Sequence, residues 1–164
     1  MRQLKASTIT QESFRPYGFC QDLYDIEQFR RSPPGESGFY PDLLHMSLAH
    51  TTPAAVCVSK VKKREPVITS LEYHQYTSEG LLPLDGDCLI YVGRASREFA
   101  PDNLKAFLIP KGVFVSFNPG TIHGTHFPVK DEWVRVLIIL PERTYGNDAV
   151  KKQLDGDERY EIIL

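Results

Sequence analysis

Val113-Phe114-Val115-Ser116-Phe117-Asn118-Pro119-Gly120-Thr121-Ile122-His123 is a short run of strand-forming residues stopped by an Asn-Pro-Gly turn and followed by a histidine. Valine and phenylalanine fit a pleated surface, and turn formers on both sides, Lys111-Gly112 before and Asn118-Pro119-Gly120 after, bound the segment as a strand. The same pattern repeats outward, in Ala54–Val61, Pro66–His74, Cys88–Val92, Leu104–Ile109 and Trp133–Leu140, with further tight connections at Asp85-Gly86-Asp87 and Lys130-Asp131-Glu132. Many short strands joined by glycine-bearing turns, with no long helical period, predict a mainly β chain folded as an antiparallel sandwich or barrel. Ser7–Gly18 predicts a short capped helix, ended by glycine, on the outside of a sheet, and Asn147–Leu154 a second short helix. Arg30–Gly38 reads as a loop, and the apolar end Ile162-Ile163-Leu164 is expected to dock on the body or on a second subunit.

The 164 residues predict one domain spanning 1–164. With 41% hydrophobic and 24% charged residues, disordered, collagen-like and coiled-coil classes are disfavoured. A net charge of -2 and a pI near 6.2 give no electrostatic reason to bind nucleic acid or an anionic membrane, so the expected partner is a small molecule or a protein. No apolar stretch approaches the roughly 20 residues of a membrane span, and the N-terminus lacks a signal-peptide core, so a cytoplasmic location is expected. Cys20, Cys57 and Cys88 are widely spaced and odd in number, which fits reduced thiols acting mainly as small hydrophobes.

Strand periodicity over Pro66–His74 puts Glu72 and His74 on one face. They open the run Glu72-x-His74-x4-Glu79-x6-Gly86, and a second run follows, Gly112-x5-Asn118-Pro119-Gly120-x2-His123, whose turn would aim His123 back across the barrel. A buried carboxylate or imidazole is costly unless paired, hydrogen-bonded or bound to metal. Glu72, His74, Glu79 and His123 therefore form a candidate two-histidine, two-carboxylate metal set suited to Zn, Mn, Fe or Ni. An unligated Glu or His beside such an ion would move the proton, and Arg94, Arg97, Lys105 and Arg135 are candidate carboxylate anchors by charge. His45 and His50 flank a short segment that a pocket mouth would use, although local structural roles are favoured for both.

The two runs resemble the paired motifs of the cupin superfamily, with Glu72 in place of the first histidine. The resemblance is closer to one branch, the ureidoglycolate lyase family. Phe14-Arg15-Pro16-Tyr17-Gly18 resembles its N-terminal Phe-x-x-Tyr-Gly signature. Leu71-Glu72-Tyr73-His74, Thr77–Leu84, Leu104-Lys105-Ala106-Phe107 and Gly120-Thr121-Ile122-His123 resemble its later segments in order. Glu79 stands where that family carries glutamine, and Ile122 where it carries tryptophan. The resemblance implies a cupin-like double-stranded β-helix, an antiparallel β-barrel or jelly roll with a few short helices. It also implies a homodimer and a carbon–nitrogen lyase cleaving ureidoglycolate to glyoxylate and urea in allantoin nitrogen salvage. A divalent metal (Ni, Mn, Zn or Fe) and no organic cofactor are expected. In that reading Glu79, His123 and His126 are catalytic, and Glu72, His74, Glu79 and His123 hold the metal. Two other classes fit the same residues: a metal-dependent isomerase, epimerase or dioxygenase acting on another hydroxy acid or sugar, and a non-catalytic ligand-binding protein.

Overall fold

The computed structural model describes residues 1–31, 38–48, 52–96, 99 and 103–164. In chain order they form β1 (Arg2–Thr8), α1 (Gln11–Phe14), β2 (Gly18–Asp22), a 3-10 turn (Glu27–Phe29), β3 (Ala54–Lys62), β4 (Val67–Ile68), β5 (Ser70–Tyr73) and β6 (Glu79–Pro83). Then come β7 (Cys88–Val92), β8 (Lys105–Ile109), β9 (Val113–Phe117), β10 (Phe127–Pro128), β11 (Trp133–Pro141), α2 (Thr144–Asn147), β12 (Val150–Gln153) and β13 (Tyr160–Ile163). The fold is mainly β with short helices, as expected. One curled sheet runs β10-β7-β8-β1-β13-β4, a second runs β2-β9-β6-β11-β3, and β12 and β5 make a two-stranded ribbon. Pairing is antiparallel except at β1, which lies parallel to both β8 and β13.

Every residue of β7 is buried, because its two faces serve two cores. Cys88, Ile90 and Val92 face the interior between the sheets, with Phe14, Leu81, Phe107, Val115, Phe117, Val134 and Val136. Leu89 and Tyr91 face outward onto a second core with Ile68, Leu71, Ile122, Phe127, Leu154 and Ile162. The outer layer of that second core comes from β4, the β5–β12 ribbon and the segment after His123. These are also the segments that carry the candidate site.

Three local expectations are corrected. Ser7 and Thr8 belong to β1, and the helix is only Gln11–Phe14, capped by Thr10, whose side chain accepts from Ser13 N. Phe14 is fully buried in the central core, edge-on to Phe107 at 5.6 Å, so the helix plugs the sandwich and does not lie outside it. Asn147–Leu154 is not a helix, because Val150–Gln153 pairs in register with Ser70–Tyr73 and backbone pairing with β5 overrides its weak helical pattern. The apolar C-terminus does dock on the body, as β13 between β1 and β4. Residues 32–37 of the expected Arg30–Gly38 loop lie outside the described residues.

All three cysteines are free thiols. Cys20 and Cys88 are buried, and burial pushes the Cys88 thiol up to about 12, which fits an inert hydrophobe. Cys57 is exposed on β3, against expectation. Gly18, where β2 begins against β9, has φ +156°, and a Cβ there would meet the Ser116 carbonyl oxygen at 1.9 Å. Backbone cannot give way as a side chain can, so Gly18→Ala is expected to lower unfolding free energy by about 2–4 kcal/mol, read by urea denaturation. A loss below about 0.5 kcal/mol would contradict this reading of the strand start.

Candidate metal centre

The site is assembled where three turns meet. His74 is the first residue past β5, Glu79 opens β6, and His123 follows the Asn118-Pro119-Gly120 turn after β9. Backbone pairing fixes their approach: Glu72 and His123 exchange both N–H···O bonds at 2.8 Å, and Gly120 N donates to the His74 carbonyl at 2.6 Å. Gly120 has φ +79°, which suits glycine, so the turn residue that marked the motif in the sequence is required by its backbone.

Both imidazoles are pinned at Nδ1. His74 Nδ1–H donates to the Asp148 carbonyl at 2.5 Å, and His123 Nδ1–H donates to the Thr121 carbonyl at 2.8 Å. A carbonyl oxygen can only accept, so Nδ1 keeps the proton and Nε2 of each ring is turned to the third member of the group. His74 Nε2 lies 2.9 Å from Glu79 Oε2 and His123 Nε2 lies 3.3 Å from the same oxygen. His123 Nε2 is buried without a hydrogen-bond partner, its contact with Glu79 being close enough for charge attraction but off the line of a hydrogen bond. The His123 ring stacks on Phe117 at 4.7 Å.

Electrostatics follow from burial against pairing. Burial pushes the Glu79 carboxyl up, but the attraction of His123 together with the hydrogen bond and attraction of His74 outweighs it, leaving it lowered to about 2. Burial pushes His123 down, and attraction to Glu79 more than reverses it, so its pKa is raised. One ligand atom from each of His74, Glu79 and His123 lies within 4.8 Å of the others. Metal bonds of about 2.1 Å at tetrahedral or octahedral angles put ligand atoms roughly 3.0–3.4 Å apart, so the two Nε2–Oε2 spacings suit a divalent ion. An orphaned Nε2, an ionised carboxylate and two fixed tautomers are the donor set such an ion requires.

Among the sequence candidates, His74, Glu79 and His123 come together and Glu72 does not. The strand breaks at Thr69 into β4 and β5, so the expected alternation from Ile68 to His74 is interrupted, and both Ile68 and Leu71 are buried. Glu72 sits half-buried in β5 with its carboxylate 3.3 Å from Lys151 Nζ on the paired strand β12. It is corrected from metal ligand to ion-paired strand residue. His126 is buried, its Nε2 has no hydrogen-bond partner, and Glu79 is near enough for its charge to bear on it. His45 is exposed, and His50 and Arg97 lie outside the described residues. Arg135 is committed at the surface, its guanidinium 2.6 Å from Asp85 Oδ2.

Asp148 was not anticipated. Its carbonyl holds His74 while its carboxylate accepts from Gln75 N and Tyr76 N at 2.8 and 3.0 Å, so one residue clamps the whole turn. It lies 74 positions from its partner, and nothing local in the sequence points to it. Thr121 was quoted only as part of a motif. Its hydroxyl donates to the Tyr17 carbonyl at 2.8 Å, which ties the Phe14–Gly18 segment to the His123 turn.

Burial holds His126 down at about 4, so the folded protein prefers the neutral ring. The stability this preference gives is fully present above pH 6.5 and is lost as pH falls towards 4. Wild type is therefore expected to lose roughly 3 kcal/mol more than His126→Leu between pH 7 and pH 4, measured by denaturant unfolding at each pH. Parallel losses in the two proteins would contradict a buried neutral His126.

A protein of Agrobacterium fabrum (strain C58), provisionally named a ureidoglycolate lyase, is 29% identical over 153 residues, covering 92% of this chain and 90% of the relative. Among solved structures, an oxalate decarboxylase is 18% identical with a TM-score of 0.45, and a vicilin from Solanum melongena is 16% identical with a TM-score of 0.42. Each aligns with 63% of this chain, which spans only 24% and 26% of theirs. The model of the ureidoglycolate lyase family matches residues 1–160. With that match across nearly its whole length, the chain belongs to the ureidoglycolate lyase family.

Proposed function

We propose that the protein is a carbon–nitrogen lyase cleaving ureidoglycolate to glyoxylate and urea, with a divalent ion held by His74, Glu79 and His123. The observation that carries this reading is the pair of pinned Nε2 atoms facing one ionised carboxylate, in a chain of that family. Two imidazoles and a carboxylate suit Ni, Mn, Zn or Fe.

Ureidoglycolate bears a hydroxyl and a urea nitrogen on the same carbon. Its cleavage removes the hydroxyl proton, turns the C–O bond into the carbonyl of glyoxylate as the C–N bond breaks, and returns a proton to the departing nitrogen. The bound ion supplies Lewis acidity for the substrate oxygen. His126 is the proton carrier in this reading: its Nε2 is unbonded and its ring is neutral at pH 7, whereas Glu79 is held ionised between two histidines. Glu79 and His123 act together, the carboxylate balancing positive charge at the centre and His123 presenting Nε2 from a fixed ring. Neither of the two described cavities is lined by His74, Glu79 or His123, and the three side chains are largely buried, which favours a small substrate and a dry site.

The protein acts as one domain, and in the cytoplasm as a homodimer. β3 supports self-association, since it pairs on one side only among the described residues and exposes Val56 and Val58. Among the described residues no helix is long and apolar enough to cross a membrane.

The test joins elemental analysis, after loading with Ni, Mn, Zn or Fe, to an assay of glyoxylate release. Near-stoichiometric metal is expected in wild type and in His126→Gln, and none in His74→Ala or His123→Ala. Glyoxylate release should fall about 10²-fold or more in His126→Gln despite retained metal. Protein that takes up no metal under any loading, or that turns over ureidoglycolate undiminished as His123→Ala, would overturn the reading.

A further inference from the structure

A cavity of about 330 Å³ is lined by Tyr17, Arg94, Asn103, Leu104 and Lys105, none of them a residue of the metal centre. Among the described residues its lining holds two cationic side chains, a carboxamide and a phenol, and no carboxylate. Among the described residues neither Arg94 nor Lys105 makes an ion pair. The ring of Tyr17 is anchored in the aromatic cluster with Phe14 and Phe107, at 5.9 and 6.1 Å, and the residue is 6% exposed. Its backbone N–H donates to the Phe14 carbonyl, and its own carbonyl accepts from Asn118 N and Thr121 Oγ1. None of these bonds uses the hydroxyl. Burial pushes the Tyr17 phenol up and the charge of Arg94 works against that.

Among the described residues the balance of donors and acceptors here is one-sided. Guanidinium and ammonium groups can only donate, the phenol has a free O–H, and the carboxamide adds two N–H groups. Two like charges beside one cavity repel unless an anion lies between them, and a guanidinium fork matches two oxygens of a single oxyanion. We propose that this cavity is a binding site for a small oxyanion, a carboxylate or a phosphate group. Arg94 and Lys105 supply the charge, and Tyr17 and Asn103 orient the oxygens. The site is separate from the metal centre and does not rest on the lyase reading. The cationic side chains are solvent-exposed, so binding weakens with salt.

Isothermal titration of acetate and of inorganic phosphate, with urea as the neutral control, tests it in wild type and in Glu79→Gln. Binding of at least one anion is expected in both proteins, urea giving none, and the tighter anion identifies the oxyanion preferred. In Arg94→Gln and Lys105→Gln the affinity should fall about tenfold, and in Tyr17→Phe several-fold with no change in salt dependence. Absence of binding by either anion, affinity indifferent to Arg94 and Lys105, or binding abolished by Glu79→Gln would overturn the proposal. Anion binding intact in His74→Ala, which loses the metal, would separate the two sites.

Discussion

The site depends on two hydrogen bonds from imidazole Nδ1 to main-chain carbonyls. Asp148 and Thr121 offer oxygens that can only accept, so His74 and His123 are held as rings whose Nε2 atoms face one carboxylate. Were either ring turned over, Cδ2 would take the place of Nδ1 and Cε1 that of Nε2, so Nδ1 would lose its carbonyl in a buried setting, at a cost of about 1–3 kcal/mol. The carboxylate answers in turn. Its low pKa, about 2, exists only because two rings keep their inner nitrogens on it against the effect of burial.

Much of the fold serves to put those two carbonyls in place. The Thr121 oxygen is set by the turn after β9, and that turn is held from behind by the Tyr17 carbonyl, which takes both Asn118 N and Thr121 Oγ1. Tyr17 is fixed by Phe14 and Phe107 in the central core. The N-terminal Phe-x-x-Tyr-Gly segment thus acts on the candidate metal centre by positioning, with no side chain in it. The Asp148 oxygen is set by α2 and by the pairing of β12 with β5, and the Asp148 carboxylate locks the turn on which His74 sits.

Much of this was legible in the sequence, and the rest was not, for identifiable reasons. β7, β8, β9 and β11 are short, strongly apolar and bounded by turn residues, so local pattern alone marks them. β1 is Arg-Gln-Leu-Lys-Ala-Ser-Thr, with little strand propensity of its own, and it is a strand because β8 and β13 pair with it on both sides. β12 is equally polar and owes its form to β5. At the site, His74, Glu79 and His123 were marked by motif spacing, and their convergence follows from the topology. Period-2 reasoning puts Glu72 with His74 only if the strand runs on through His74, whereas β5 ends at Tyr73 and the Glu72 carboxylate pairs with Lys151 on β12. Asp148 acts through its backbone carbonyl, an atom that every residue carries, so its residue type could not announce the role.

The pinned tautomers are open to direct observation by long-range ¹H–¹⁵N correlation spectroscopy of the imidazole nitrogens, recorded across pH and with and without a diamagnetic ion such as Zn. The expected result is that Nδ1 of both His74 and His123 stays protonated throughout, while the response to the ion is centred on Nε2. An Nε2–H, Nδ1-bare tautomer in either ring, or a metal response at Nδ1, would contradict the arrangement on which the centre is built.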